Sequence, residues 1–228
     1  MCNVDCIKWG ARNLSDAEVR GKRVLEVGSY EVNGSLRYVI ELLRPAEYVG
    51  VDIEKGPGVD MVCRAEELTR RFGKESFDMV VSTCALEHIR PWKEAVSNIK
   101  NVCRSDGIML IIVPSEWPFH QHPSDFWRYS REDVSRIFSD CDIISIEEIR
   151  CPPVVPQLRT KKSAVFAKIH KPREFVENDL SKCSLHSIVT NTRVTEIHEA
   201  DFQCLHFRWL TLRNHVMNAL LRIAGYIL

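Results

Sequence analysis

Apolar, β-branched runs alternate with helix-patterned segments through the first 170 residues, and that alternation leaves few folds open. The runs RVLEVG (23–28), EYVGVDI (47–53), DMVC (60–63), FDMVVST (77–83), GIMLIIVP (107–114), CDIISIEEI (141–149) and SAVFAKI (163–169) have the length and composition of strands. Between them SLRYVIELLR (35–44), AEELTRRFG (65–73), WKEAVSNIKNVCR (92–104) and REDVSRIFSD (131–140) carry apolar residues at helical spacing. Several strands are nearly continuous apolar runs, as expected when helices cover both faces of a parallel sheet. Right-handed crossovers then predict an open three-layer α/β sandwich. Ligands of such a sheet sit beyond the carboxyl ends of its strands, so the loops that follow each strand are where function is expected.

Pro152, Pro153 and Pro156 interrupt the pattern before the last strand, and Lys171-Pro172 breaks it again. The division expected is a domain over 1–170 and an extension over 171–228. The chain is neutral overall, yet residues 151–228 hold 11 Lys and Arg against 6 Asp and Glu, which leaves the body acidic. Phosphate neutralisation needs clustered basic side chains, so no nucleic-acid partner is expected. No apolar run is long enough to span a bilayer. The start, MCNVDCIKWGARN, lacks a basic head followed by an apolar stretch, so no cleaved secretion signal is expected and the cytoplasm is the expected location. Nine cysteines, an odd and scattered set, read as reduced thiols, Cys2 and Cys6 included.

The first strand ends in Glu26-x-Gly28, and Asn33-Gly34-Ser35 opens the next helix. A glycine there lets the backbone approach a ligand, and a helix N-terminus offers unpaired N–H groups. Asp52 ends the second strand, where a carboxylate can take both hydroxyls of a ribose. Two acids at adjacent strand ends suggest a nucleoside ligand.

On these residues the chain resembles the class I S-adenosylmethionine-dependent methyltransferases, in particular those with a methyltransferase domain of the type-11 kind, from about Lys22 to about Lys171. The resemblance implies a Rossmann-like three-layer sandwich with a mostly parallel seven-stranded sheet, and S-adenosylmethionine as cofactor. It places the methionine end of the cofactor at Glu26, Gly28, Ser29 and Asn33, and the ribose at Asp52 beside Ile53. The adenine falls at Ala65 and Glu66, with Ser82 and Leu86 of the loop after the fourth strand lining the site. Glu87 and His88 would face the reaction centre. Tyr30 and Val32 stand where this family usually has glycines, and Arg64 where it commonly has an Asp that bonds the adenine amino group. A cofactor without phosphate does not need the tight cradle of a dinucleotide site. A nicotinamide-dependent enzyme would instead show G-x-G-x-x-G and Tyr-x3-Lys, and neither is present.

HQHPSDFWRYS (120–130) follows the fifth strand and is the densest constellation in the chain. It resembles an H-x-x-P-x-D-[FY]-W-R-[FY] signature of some type-11 enzymes. Asp125, Trp127, Arg128 and Tyr129 are candidates to shape the acceptor pocket, or else form core packing around a buried Asp125–Arg128 pair. Methyl transfer from a sulfonium is an in-line displacement that needs a base only for a hydroxyl or protonated amine. His120, His122 and His88 are the candidate bases. His120, His122 and Asp125 have a spacing that permits a metal, but such short clusters are usually incidental and none is expected.

Residues 207–228 place Phe207, Leu210, Met217, Leu220, Leu221 and Ala224 at helical spacing with Arg208, Arg213 and Arg222 and no acid. Such a basic amphipathic helix docks on the body or on a second copy, or lies on a membrane surface. The function expected is methylation of a small-molecule or sugar-like acceptor, lipid-linked if the helix binds membrane, with oxygen favoured over nitrogen. The alternative is a module that kept the fold and lost turnover.

Overall fold

The computed structural model describes residues 4–120, 124–150 and 162–223. In chain order the elements are α1 (Val4–Asn13), α2 (Asp16–Val19), β1 (Arg23–Val27), α3 (Arg37–Leu42), β2 (Glu47–Asp52), β3 (Met61–Val62), α4 (Leu68–Phe72), β4 (Phe77–Thr83), α5 (Trp92–Val102), β5 (Cys103–Glu116), β6 (Trp127–Arg128), α6 (Arg131–Ile137), β7 (Asp142–Arg150), β8 (Ser163–His170), β9 (Leu185–Ser187), β10 (Thr192–Val194) and α7 (Leu205–Ile223). Seven strands form one sheet in the order β3-β2-β1-β4-β5-β8-β7. The pairs from β3 through β5 are parallel, and β8 runs antiparallel to both β5 and β7. The expected mostly parallel, seven-stranded sandwich is what forms.

The period of two along each strand sorts the core into two layers. Leu25, Val27, Val80, Met109, Ile111, Val113, Val165 and Ala167 face α4, α5 and α6. Val24, Met79, Val81, Leu110, Ile112 and Phe166 face the opposite layer, built by α1, α2 and α3. The N-terminal helices were not legible as such in the sequence. Trp9 of α1 is fully buried, its ring 5.6 Å from Phe166, and Gly10 lets the helix press against Leu36.

The extension beyond residue 170 contributes to the same core. β9 pairs with β6 and with β10 in a second, three-stranded sheet, and Leu180, Leu185, Val189 and Ile197 join the layer that holds α5 and α6. Lys100 of α5 is wholly buried and donates to Asp140, to the Ile137 carbonyl and to Asn178 of the extension at 2.6–2.9 Å. The prolines at 152, 153 and 156, together with Cys2, lie outside the described residues.

The terminal helix turns the expected apolar face toward the body and leaves a second apolar row outside. Phe207, Leu210 and Met217 are half-buried, with Phe207 packed on Phe119 and Phe202 at 5.9 and 5.3 Å between ring centres. A second apolar row, Leu205, Trp209, Leu212 and Val216, is 53–83 % exposed. Leu220 and Leu221 have no described side chains, and Ala224 lies outside the described residues. No described helix is long and apolar enough to cross a membrane.

Candidate active site

The strand order reverses between β1 and β4, and a cavity of about 680 Å³ opens beyond their carboxyl ends. Gly28, at φ +80°, is the turn on which it depends. A Cβ there would stand 2.3 Å from the Ala85 Cβ in the loop after β4, so both the backbone angle and the close approach require glycine. The amides of Gly28 and Ser29 donate to the Val51 carbonyl at 2.9 and 3.0 Å, tying this turn to the end of β2.

Asp52, the last residue of β2, lines the cavity and accepts from the backbone N–H groups of Tyr30 and Ile53 at 3.1 and 2.7 Å. These bonds orient the carboxylate while leaving lone pairs for a ligand. Tyr30 and Val32, which replace the usual glycines, present side chains to the cavity. The Tyr30 ring rests against Gly56, and Glu31 N–H bonds the Pro57 carbonyl, so the longer turn is braced on the loop after β2. Ile53, Arg64, Ala65 and Glu66 line the same cavity, with Arg64 paired to Glu66 at 2.9 Å. At the other end stand His88, Ile89, Arg90, Pro91 and Phe126.

Other residues singled out in the sequence lie elsewhere. Glu26 is turned to the layer under α1 and α3, where its carboxylate accepts from the Tyr48 hydroxyl at 2.8 Å and from Ser35 at 3.3 Å. Burial drives its pKa up to about 7, against the opposing effect of those two hydroxyls. Ser29, Ser82 and Leu86 are buried without lining the cavity, and Asn33 is exposed. The Ser29 and Ser82 hydroxyls find no partner among the described residues.

Asp125, Trp127, Arg128 and Tyr129 are all at most 4 % exposed, and none lines the cavity. Arg128 grips Asp125 through two bonds of 2.5 and 2.7 Å and donates to the Trp117 carbonyl. Trp127 donates to the Ile89 carbonyl at 3.0 Å and Tyr129 to the Leu86 carbonyl at 3.1 Å. Together they hold the loops that carry His88 and His120. Burial alone would raise the Asp125 carboxyl, but the bonds from Arg128 and then His120 outweigh it and bring it down to about 2. His122 lies outside the described residues.

His88 and His120 meet edge to face, ring centres 4.9 Å apart, with their Nε2 atoms at 3.4 Å. His88 Nδ1 stands 2.8 Å from the Ser124 carbonyl, which can only accept, so Nδ1 carries the proton and Nε2 is a lone pair. Burial, which outweighs the adjacent Glu87, lowers the His88 pKa and keeps the ring neutral. Sequence reasoning named both histidines; their pairing across 32 residues had no signal in it.

A family model described as a methyltransferase domain matches residues 4–146, well over half of the chain. The chain belongs to the methyltransferase-domain family. It shares its fold with solved S-adenosylmethionine-dependent methyltransferases. A phthiotriol/phenolphthiotriol dimycocerosates methyltransferase of Mycobacterium ulcerans is 31% identical to it over 119 residues, which cover 47% of this chain and 43% of the relative. The match thus spans less than half of that relative's length. Among solved structures, the 1,6-didemethyltoxoflavin-N1-methyltransferase of Burkholderia thailandensis, with its substrate and S-adenosylhomocysteine bound, superposes with a TM-score of 0.57 at 15% identity. That match covers 73% of this chain and 78% of the other. An S-adenosylmethionine-dependent methyltransferase of Mesorhizobium loti does so with a TM-score of 0.50 at 15% identity, over 72% and 96% of the two chains. At such identities the likeness is one of fold.

Proposed function

We propose that this methyltransferase moves the methyl group of S-adenosylmethionine to a hydroxyl of a small or lipid-linked acceptor. The observation that carries the reading is one cavity lined both by the loops after β1, β2 and β3 and by the His88 loop after β4. The residues at the end formed by the first three loops suit the cofactor. Gly28 lets the turn after β1 lie against Ala85, Asp52 offers a carboxylate to the ribose hydroxyls, and Ile53 and Ala65 offer apolar walls to the adenine. Glu66, two residues beyond Arg64, offers an acid to the amino group of the adenine, its charge shared with that arginine. Glu26 supports this end from behind, through the β1 backbone, rather than by contact. Once bound, the cofactor supplies an electrophilic methyl group on sulfur.

The chain's own contribution is alignment. Phe126, Ile89 and Pro91 form an apolar wall that holds the acceptor and keeps water away, and in-line positioning supplies most of the rate. The acceptor's proton leaves at the His88–His120 pair, where the neutral imidazole of His88 borders the cavity. Asp125, Arg128, Trp127 and Tyr129 position that pair and need not touch the acceptor.

The lipid-linked acceptor is favoured by α7. Its exposed row of Leu205, Trp209, Leu212 and Val216 is flanked by Arg208 and Arg213, with no acid along the helix, which matches an anionic bilayer surface. The helix is joined to the cavity wall through Phe207, Phe202 and Phe126. The Mycobacterium ulcerans relative, named for a lipid acceptor, is consistent with it. Calorimetric titration with S-adenosylmethionine and S-adenosylhomocysteine, against Asp52→Ala and NAD, tests the core of the reading. Binding of both sulfur nucleosides, weakened at least tenfold in Asp52→Ala, is expected; no binding would overturn it and favour an interaction module. Co-sedimentation with anionic vesicles, lost in Trp209→Ser/Leu212→Ser, tests the acceptor class, and an intact protein that stays in the supernatant refutes it.

A further inference from the structure

We infer that Glu87, His88 and His120 form a site for a divalent transition-metal cation of the zinc class. One ligand atom from each of the three lies within 4.8 Å of the others. The spacing is that of metal ligands. Two bonds of 2.0–2.1 Å at a tetrahedral angle put two imidazole nitrogens about 3.3–3.4 Å apart, and the two Nε2 atoms stand 3.4 Å apart.

The tautomers point the same way. His88 Nδ1 faces the Ser124 carbonyl, and His120 Nδ1 faces the Asp125 carboxylate at 3.0 Å and the Pro118 carbonyl at 3.2 Å. Every one of these partners only accepts, so both Nδ1 atoms carry hydrogen, and with both rings neutral the two Nε2 atoms direct lone pairs toward each other. Facing lone pairs repel unless a positive charge lies between them. Metal-binding histidines have this arrangement, in which a carbonyl or carboxylate on the far nitrogen fixes ring and tautomer. Arg128 in turn clamps Asp125, so the support of His120 is itself rigid.

Glu87 provides the independent observation. Its residue is 2 % exposed, its Oε1 lies 3.7 Å from His88 Nε2, and its Oε2 has no hydrogen-bond partner among the described residues. A buried carboxylate with one oxygen left without a donor is unfavourable, and a cation held by the two imidazoles and the Oε1 side of the group would offset its charge. Two imidazoles and one carboxylate, with a position left open, suit zinc or ferrous iron better than magnesium or calcium, which take all-oxygen sets. His88 also borders the cavity, so the cation would sit at the acceptor end. There it would bind and acidify an acceptor hydroxyl, whose proton is lost to solvent, in place of direct uptake by the imidazole. That consequence rests on the proposed methyl transfer; cation binding does not.

The test uses the full chain, stripped with a chelator, dialysed and titrated with Zn²⁺ by calorimetry, and with Co²⁺ by visible absorption. One equivalent per chain is expected, with a tetrahedral cobalt spectrum free of thiolate charge-transfer bands. His120→Ala, at a partly exposed position, and Glu87→Gln, which keeps the volume, should each weaken Zn²⁺ binding at least tenfold. Asp52→Ala should leave it unchanged. S-adenosylhomocysteine titration of the same samples separates the two ideas: a protein that binds the nucleoside and no metal refutes the metal site alone. Zn²⁺ affinity indifferent to both ligand variants, or cobalt–thiolate bands, also overturns it. Circular dichroism of each variant identifies any that fail to fold, and His88→Ala then replaces it.

Discussion

Glu26 couples the first strand to pH. Its carboxyl is 2 % exposed, and burial lifts its pKa from an ordinary 4.5 to about 7. The folded protein therefore retains a proton through a range in which the unfolded chain has lost it. Stability from this group is fully present below pH 4.5 and is lost as pH rises to about 7. At 1.36 kcal/mol for each unit of pKa, the loss amounts to about 3 kcal/mol. Glu26→Gln removes the titration and keeps the contacts, because the amide oxygen still accepts from Tyr48 and the amide nitrogen can donate to Ser35. For a chain of this size about 1 kcal/mol moves the melting temperature by about 2–4 °C. Thermal unfolding of both proteins, followed by circular dichroism from pH 4.5 to 8.5, should give similar midpoints at the acid end. Above pH 7 the variant should melt about 6–12 °C higher. Because every other titrating group is common to both proteins, the difference between the two curves isolates Glu26. Parallel curves would refute the reasoning. S-adenosylhomocysteine affinity should change by no more than a few fold, since the carboxylate faces away from the cavity.

Three further outcomes follow from the geometry. Gly28→Ala, with a left-handed backbone angle and a Cβ driven into Ala85, should cost several kcal/mol by chemical denaturation and lower cofactor affinity; unchanged values would show that the turn does not depend on glycine. Arg128→Met leaves Asp125 charged and buried, and should destabilise by about 3–5 kcal/mol, whereas Asp125→Leu/Arg128→Met should recover most of that loss; a double variant as unstable as the single one would refute a structural pair. Because the Asp125 carboxyl is held down at about 2, its contribution is present above pH 3.8 and is lost as pH falls toward 2; an acid unfolding limb identical in the double variant would contradict this.

Local chemistry determined most of the fold. All seven strands of the main sheet were legible as apolar runs and four helices as periodic segments, because each must bury a stripe whose spacing its own backbone dictates, whereas the short β6, β9 and β10 carried no such signal. The place of the site followed too, since Gly28 and Asp52 mark the carboxyl ends of adjacent strands. What the sequence did not contain was the direction of individual side chains. Glu26 and Asp52 look alike as strand-end acids, yet Glu26 alternates onto the layer under α1 while Asp52, one step past the last apolar residue of β2, reaches the cavity. DFWRY looks like part of a binding motif and packs as a scaffold, because Trp127 and Tyr129 donate to carbonyls of the distant loop after β4 while Arg128 clamps Asp125 within the motif. The pairing of His88 with His120 beside Glu87, and the bare outer row of α7, likewise depend on which surfaces come together. Periodicity reports how a segment buries its own apolar face; which partner it meets is decided only when segments far apart in the chain share one core.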